Sequence, residues 1–201
     1  MKKLVALFSV FILLSSFLPE GKYAVGDKAV DFKLKNIDGK MVSLADYTKA
    51  KGFIVIFTCN HCPFSKKYED RIVALDKQFK EKGYPVIAIN SNDVTQHEED
   101  SYDNMKVRAK EKGFTFPYLY DESQAIAKAY GASRTPHVFI LQKSGNDLVV
   151  KYIGAIDDNS DDADAVHEKY VENAVNNLLN GKEADPSMTR AIGCTIKWKT
   201  S

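Results

Sequence analysis

Cysteine is scarce in this chain. Three in 201 residues cannot build a disulfide framework, so each has to be explained singly. Charge of one sign is scarce too: 28 Lys and Arg stand against 27 Asp and Glu. With no surplus to meet phosphates, a nucleic-acid binder is excluded. Six Pro and 11 Gly exclude collagen-like and low-complexity sequence. Disorder is excluded because 44% of the residues are hydrophobic, enough for a real core. Apolar runs long enough to span a bilayer are lacking as well. Even Leu4 to Leu18 falls short of the ~20 residues a transmembrane helix needs.

What is present begins with that run. Met1-Lys2-Lys3, an apolar stretch from Leu4 to Leu14 broken only by Ser9, and the small residues Ser15 and Ser16 form a secretory-signal pattern. Residues 1–19 are expected to be removed with Lys2 and Lys3, leaving 26 of the 28 basic residues against 27 acidic ones. The mature chain is expected to be exported, periplasmic or extracellular, with no stable membrane insertion after signal removal. Such a compartment permits disulfides.

Beyond residue 21 no repeat and no linker is visible. Lys28 to Asn36 alternates through Val30, Phe32 and Leu34 and reads as a strand. The run Gly52 to Thr58 is apolar and rich in β-branched and aromatic residues, as in a strand buried on both faces. Tyr68, Ile72, Leu75 and Phe79 fall at helical spacing. Tyr84 to Asn90 reads as a second buried strand, and Asp103 to Lys112 and Ser123 to Tyr130 as helices closed by Gly113 and Gly131. His137 to Gln142 and Leu148 to Ile153 flank a Ser144-Gly145-Asn146 turn, which predicts a hairpin. Val166, Tyr170, Ala174 and Leu178 predict the last helix. This order implies an α/β sandwich with a central mixed sheet flanked by helices.

Cys59-Asn60-His61-Cys62 sits where the buried strand hands over to the long helix. Unpaired N–H groups and the helix dipole favour a thiolate there. Structural zinc uses the same spacing but wants two more ligands, and only Cys194 and scattered histidines remain. Pro63 suits a first helical turn, where its missing N–H costs nothing.

A strand, FTCNHCPF, a long helix and YGASRTPHVFIL before a hairpin together resemble the thioredoxin superfamily. The opening VGDKAVDFKLKNIDGKMVSLADY, with INSNDV, FPYLYDE and a C-terminal GCTIKWK, resembles its redoxin branch, which includes peroxiredoxin-like and TlpA/ResA-type proteins. The resemblance implies a thioredoxin-like domain over residues 22–181 followed by a tail, 182–201. It implies an exported thiol–disulfide oxidoreductase acting on protein thiols and disulfides with a redox partner protein and no cofactor. Cys59 matches the solvent-facing nucleophile, expected to have the lower pKa, and Cys62 the shielded resolving cysteine. Thr135-Pro136 matches the cis-proline loop that receives an extended partner, and His61 matches a residue that tunes the potential. The buried acid usual six residues before the first cysteine is replaced by Phe53. A peroxidase reading is the alternative enzyme class, but its PxxxTxxC pattern would need Pro at Val55 and Thr at Cys59. A Sco-like copper(I) chaperone is the alternative binding class, with Cys59, Cys62 and His137 as a soft ligand set.

The remaining constellations read as structural. His97 and His167 stand in polar surroundings and are expected at the surface, while His137 begins a strand at a sheet edge. The acidic runs Glu98-Glu99-Asp100 and Asp157 to Asp162 with Glu168 are expected to be solvated, the second despite a partial EF-hand pattern. Cys194 is a buried tail thiol, a resolving thiol or an intermolecular partner. Trp198 is a candidate to anchor the tail.

Overall fold

The computed structural model describes residues 22–200; the signal-like segment 1–19 lies outside them. Strand β4 (Gly52–Phe57) is buried at every residue, as its unbroken apolar run requires. It lies in the middle of an eight-stranded mixed sheet in the order β1-β9-β8-β4-β5-β6-β2-β3. Strands β5 (Val86–Asn90) and β6 (Tyr118–Tyr120) continue parallel from β4 on one side. On the other side β8 (His137–Ser144) and β9 (Asp147–Gly154) form the expected antiparallel hairpin. His137 therefore starts a strand inside the sheet, not at its edge.

The alternation of β4 divides the core. Ile54 and Ile56 face Tyr68, Ile72, Leu75 and Phe79 of helix α1 (Pro63–Phe79), Met105 of α2 (Tyr102–Lys112) and Val175 of α4 (Tyr170–Leu179). Phe53, Val55 and Phe57 face Ile126 and Tyr130 of α3 (Ala125–Tyr130). Each such side chain contributes about 1.5–3 kcal/mol on full burial.

Three expectations are corrected. The span Lys28 to Asn36 is two strands on opposite sides of the sheet: β1 (Lys28–Ala29) pairs with β9, and β2 (Lys33–Asn36) with β6 and with β3 (Met41–Ser43). Asp31 stands between them, its carboxylate accepting from the Phe32, Leu44 and Ala45 amides and the Ser43 hydroxyl, contacts that bind the break in the strand to the turn after β3. In the acidic loop Asp157 is buried, accepting from Tyr68 Oη at 2.8 Å and Arg71 Nη1 at 2.7 Å, while Asp161, Asp162 and Glu168 are exposed. Trp198 is exposed, and the tail is anchored instead by Ile196, buried in the β4–α3 cluster.

The segment after α4 packs against the rest of the chain at several points. Ala184 joins the α1 cluster, Met188 bridges to Ile153, and β10 (Cys194–Thr195) pairs antiparallel with β7 (Arg134–Thr135).

Gly52 shows how tightly the centre is packed, since a Cβ there would run into the Leu141 carbonyl and the Tyr84 ring. Gly52→Ala is expected to destabilise the fold by about 2–3 kcal/mol. It should appear in urea titration as a lower midpoint at unchanged slope.

Candidate active site

The end of β4 and the start of α1 place the CNHC segment. Cys62 is the N-cap of α1 and Pro63 its first residue, so the positive end of the helix dipole faces Cys62 more directly than Cys59. Opposite stands the expected Thr135-Pro136 loop, its peptide bond cis. Cys59 Sγ donates to Thr135 Oγ1 at 3.3 Å and lies 3.8 Å from Ser65 Oγ. Cys62 Sγ lies 3.2 Å from the Thr135 carbonyl oxygen.

Cys62 is joined in a disulfide to Cys194, 132 positions further along the chain, with Cα atoms 6.0 Å apart. Cys59 is the free thiol. Of the readings open for Cys194, this geometry brings forward the one in which it reaches the site. Its position follows from strand pairing, because Cys194 is opposite Thr135 in the β7–β10 register. Gly193 makes the approach possible, since a Cβ there would collide with the Thr135 carbonyl.

Cys59 departs from its expected character. It is only 3% exposed, and its pKa is pushed up to about 11, first by burial and then by the Asp100 carboxylate. The lowering contributed by its hydrogen bonds to Thr135, the Cys62 backbone and Ser65 is outweighed. Burial disfavours the charged form. With the tail paired on Thr135, the thiol expected to be exposed and acidic is covered and neutral.

Asp100 is the residue that sequence reasoning missed. Its carboxylate is fully buried and accepts from the Asn60 amide at 2.7 Å, the His61 amide at 3.0 Å and Asn92 Nδ2 at 2.8 Å. It also bonds His61 Nδ1, and His61 stacks on His97 with ring centroids 3.8 Å apart. The run Glu98-Glu99-Asp100 is therefore not a solvated face: Glu98 and Glu99 are exposed, whereas Asp100 turns inward. Half-buried His97 is likewise part of the site's wall. The only signal in the sequence was the missing acid at Phe53, which left room for a carboxylate from elsewhere.

The donors to Asp100 link the motifs into one network. Asn60 Nδ2 donates to the Glu99 carbonyl, and its Oδ1 accepts from Tyr118 Oη. Asn92 Oδ1 accepts from the Lys197 amide, and the Asp93 amide donates to the Lys197 carbonyl. Gln124 Nε2 donates to the same carbonyl, and its Oε1 accepts from the Lys199 amide.

Among the described residues, one group of ligand-type atoms converges within 4.8 Å: Cys59, His61 and Asp100. Four N–H donors already fill Asp100, so the group is a hydrogen-bonded unit around a thiol. His137, the third member of the copper(I) set, points its Nδ1 at the Ser133 amide instead. Burial, aided by the Arg134 charge, lowers its pKa to about 4. His167 is exposed, as expected.

Residues 25–153 match the AhpC/TSA family. A curated relative, the thiol-disulfide oxidoreductase ResA of Bacillus thuringiensis (strain Al Hakam), is 30% identical over 166 residues, covering 77% of this chain and 91% of its own. A crystal structure of an uncharacterized conserved protein from Geobacillus kaustophilus is 39% identical with a TM-score of 0.81, covering 92% of this chain and 95% of that one. A thioredoxin-family thiol:disulfide interchange protein from Chlorobium tepidum shares the fold, with a TM-score of 0.52 at 24% identity, covering 64% of this chain and 86% of that one.

A pKa near 11 leaves about 10⁻⁴ of Cys59 as thiolate at pH 7. Alkylation of Cys59 by iodoacetamide in the disulfide-closed chain should rise about tenfold per pH unit up to pH 10. Asp100→Asn should move that profile toward lower pH. A plateau below pH 9 in the unsubstituted chain would contradict this assignment.

Proposed function

The chain belongs to the AhpC/TSA family, and from that premise we propose that it is an exported thiol–disulfide oxidoreductase whose working pair is Cys59 and Cys62. The observation that carries the reading is the meeting of both residues at Thr135 of the cis-proline loop, with Cys62 already engaged in a disulfide. A thioredoxin-like fold, the head of a long helix and a redox-closed cysteine together make thiol–disulfide exchange the chemistry the site can perform. The similarity to ResA, named a thiol-disulfide oxidoreductase, points the same way.

In the fully reduced chain Cys59 attacks a substrate disulfide, forming a mixed disulfide and expelling one substrate thiolate. Cys62 then attacks Cys59 Sγ, releasing the second substrate thiolate and leaving a Cys59–Cys62 disulfide. The reverse sequence oxidises a substrate dithiol. Cys62 as N-cap gains thiolate stability from the helix. The His61–Asp100 pair beside Cys59 tunes the potential as a unit, because the imidazole is committed to the carboxylate. The Thr135-Pro136 loop offers its backbone edge to an extended partner segment. The partners are protein thiols and disulfides, together with a redox protein that resets the pair.

Export rests on the basic and apolar segment of residues 1–19. No helix among the described residues is long and apolar enough to cross a membrane.

Thiol-trapping tests the division of labour. Cys62→Ser should accumulate partner proteins linked through Cys59, while Cys59→Ser should trap none at Cys62 and abolish insulin-disulfide reduction. Wild-type turnover in Cys62→Ser, or partner capture at Cys62 in Cys59→Ser, would reverse the roles.

A further inference from the structure

The two sulfurs of the working pair are both covered, Cys59 at 3% exposed and Cys62 at 0%. Cys194 is the partly exposed member of the three. It is displayed on the strand edge of the cis-proline loop, opposite Thr135, with Gly193 and the exposed Ile192 leading up to it. Arg190, Ala191, Ile192 and Gly193 line a surface cleft with Phe64 and Arg134. The outer end of the Cys62–Cys194 disulfide is thus the part of the redox centre nearest to solvent.

We infer that Cys194 is a third catalytic thiol, the one through which a partner dithiol exchanges electrons with the buried Cys59/Cys62 pair. The inference rests on the oxidoreductase reading and adds the site of partner attack. A partner thiolate attacks Cys194 Sγ, forming a partner–Cys194 disulfide. The Cys62–Cys194 bond breaks, and Cys62 leaves as a thiolate that takes up a proton. The partner's second thiol then loses its proton and attacks the partner sulfur of that mixed disulfide, so the partner departs oxidised and Cys194 is left as a thiol. Two electrons and two protons have entered the chain. After a substrate turnover has left Cys59–Cys62 oxidised, the Cys194 thiolate attacks Cys62 Sγ and expels Cys59, which takes up a proton. That exchange returns the chain to the Cys62–Cys194 state seen in the structure.

Two features suit this route. A leaving thiolate departs faster when it is stabilised, and Cys62 leaves onto the N-terminus of a 17-residue helix. The tail is also held independently of the disulfide. Ile196 is buried, and Lys197 and Lys199 are bonded to Asn92, Asp93 and Gln124. Cys194 is therefore kept at Thr135 when the bond opens.

The test treats the oxidised full-length mature chain with reduced glutathione, quenches with acid and maps adducts by mass spectrometry. Glutathione is expected on Cys194 with Cys62 as a free thiol. The oxidised Cys194→Ser variant should be reduced by glutathione about tenfold more slowly than wild type, because only covered sulfurs remain to attack. Glutathione on Cys62 with Cys194 free overturns the inference in the wild-type chain alone, whatever the fate of the variant. Equal reduction rates for wild type and Cys194→Ser, with insulin reduction intact in both, also overturn it while leaving the oxidoreductase reading standing. A wild-type chain that takes glutathione on no cysteine and reduces no insulin overturns both.

Discussion

The site depends on the backbone of Thr135. Its hydroxyl receives the Cys59 thiol, its carbonyl oxygen lies beside Cys62 Sγ, and its position in β7 fixes Cys194 opposite it. Three cysteines from two distant parts of the sequence are gathered by one residue ahead of a cis proline. Thr135 is only 2% exposed, and β8 begins two residues later beside β4 in the centre of the sheet. A buried loop beside the central strands therefore carries the surface on which sulfur exchange takes place.

Asp100 governs the other side. A buried carboxylate is costly unless its lone pairs are used, and here backbone, amide and imidazole N–H groups use them. The bonds to the Asn60 and His61 amides fix the backbone between the two cysteines. The same negative charge raises the Cys59 pKa, so the group that shapes the loop also suppresses the thiolate. Position and reactivity are thus set by one side chain, and the His61 ring joins that unit instead of acting on the sulfur alone.

The architecture was legible in the sequence because its signals are local. The apolar run of β4, the helical spacing of α1 and the turn between β8 and β9 each lie within one element. The CNHC segment and Thr135-Pro136 were legible for the same reason. Asp100 was not, because three consecutive acids look alike until the sheet places one of them behind the CNHC loop. Nor could spacing choose a partner for Cys62 between a thiol three residues away and one 132 residues away. The choice rests on a two-residue strand pairing and on Gly193, which no local pattern reveals. Ile196 rather than Trp198 anchors the tail: alternation would put both on one face, but β10 ends at Thr195, and beyond it residue 196 is buried while residue 198 is exposed.

Two thiols in one chain compete for Cys62, and both are tethered beside it. Partition between the Cys59–Cys62 and Cys62–Cys194 disulfides therefore does not depend on protein concentration; it reflects local structure. In the closed state, attack from within by Cys59 is slow. It requires a thiolate that burial and Asp100 disfavour. Cys62 is buried as well, but it stands at the start of α1, where the helix favours a leaving thiolate. The pocket that covers Cys59 thus protects the Cys62–Cys194 bond from internal rearrangement and leaves it open to reagents arriving from outside on the Cys194 side. Uncovering Cys59 needs loss of the tail pairing at Thr135, which the disulfide reinforces and which the contacts of Ile196, Lys197 and Lys199 hold independently of it.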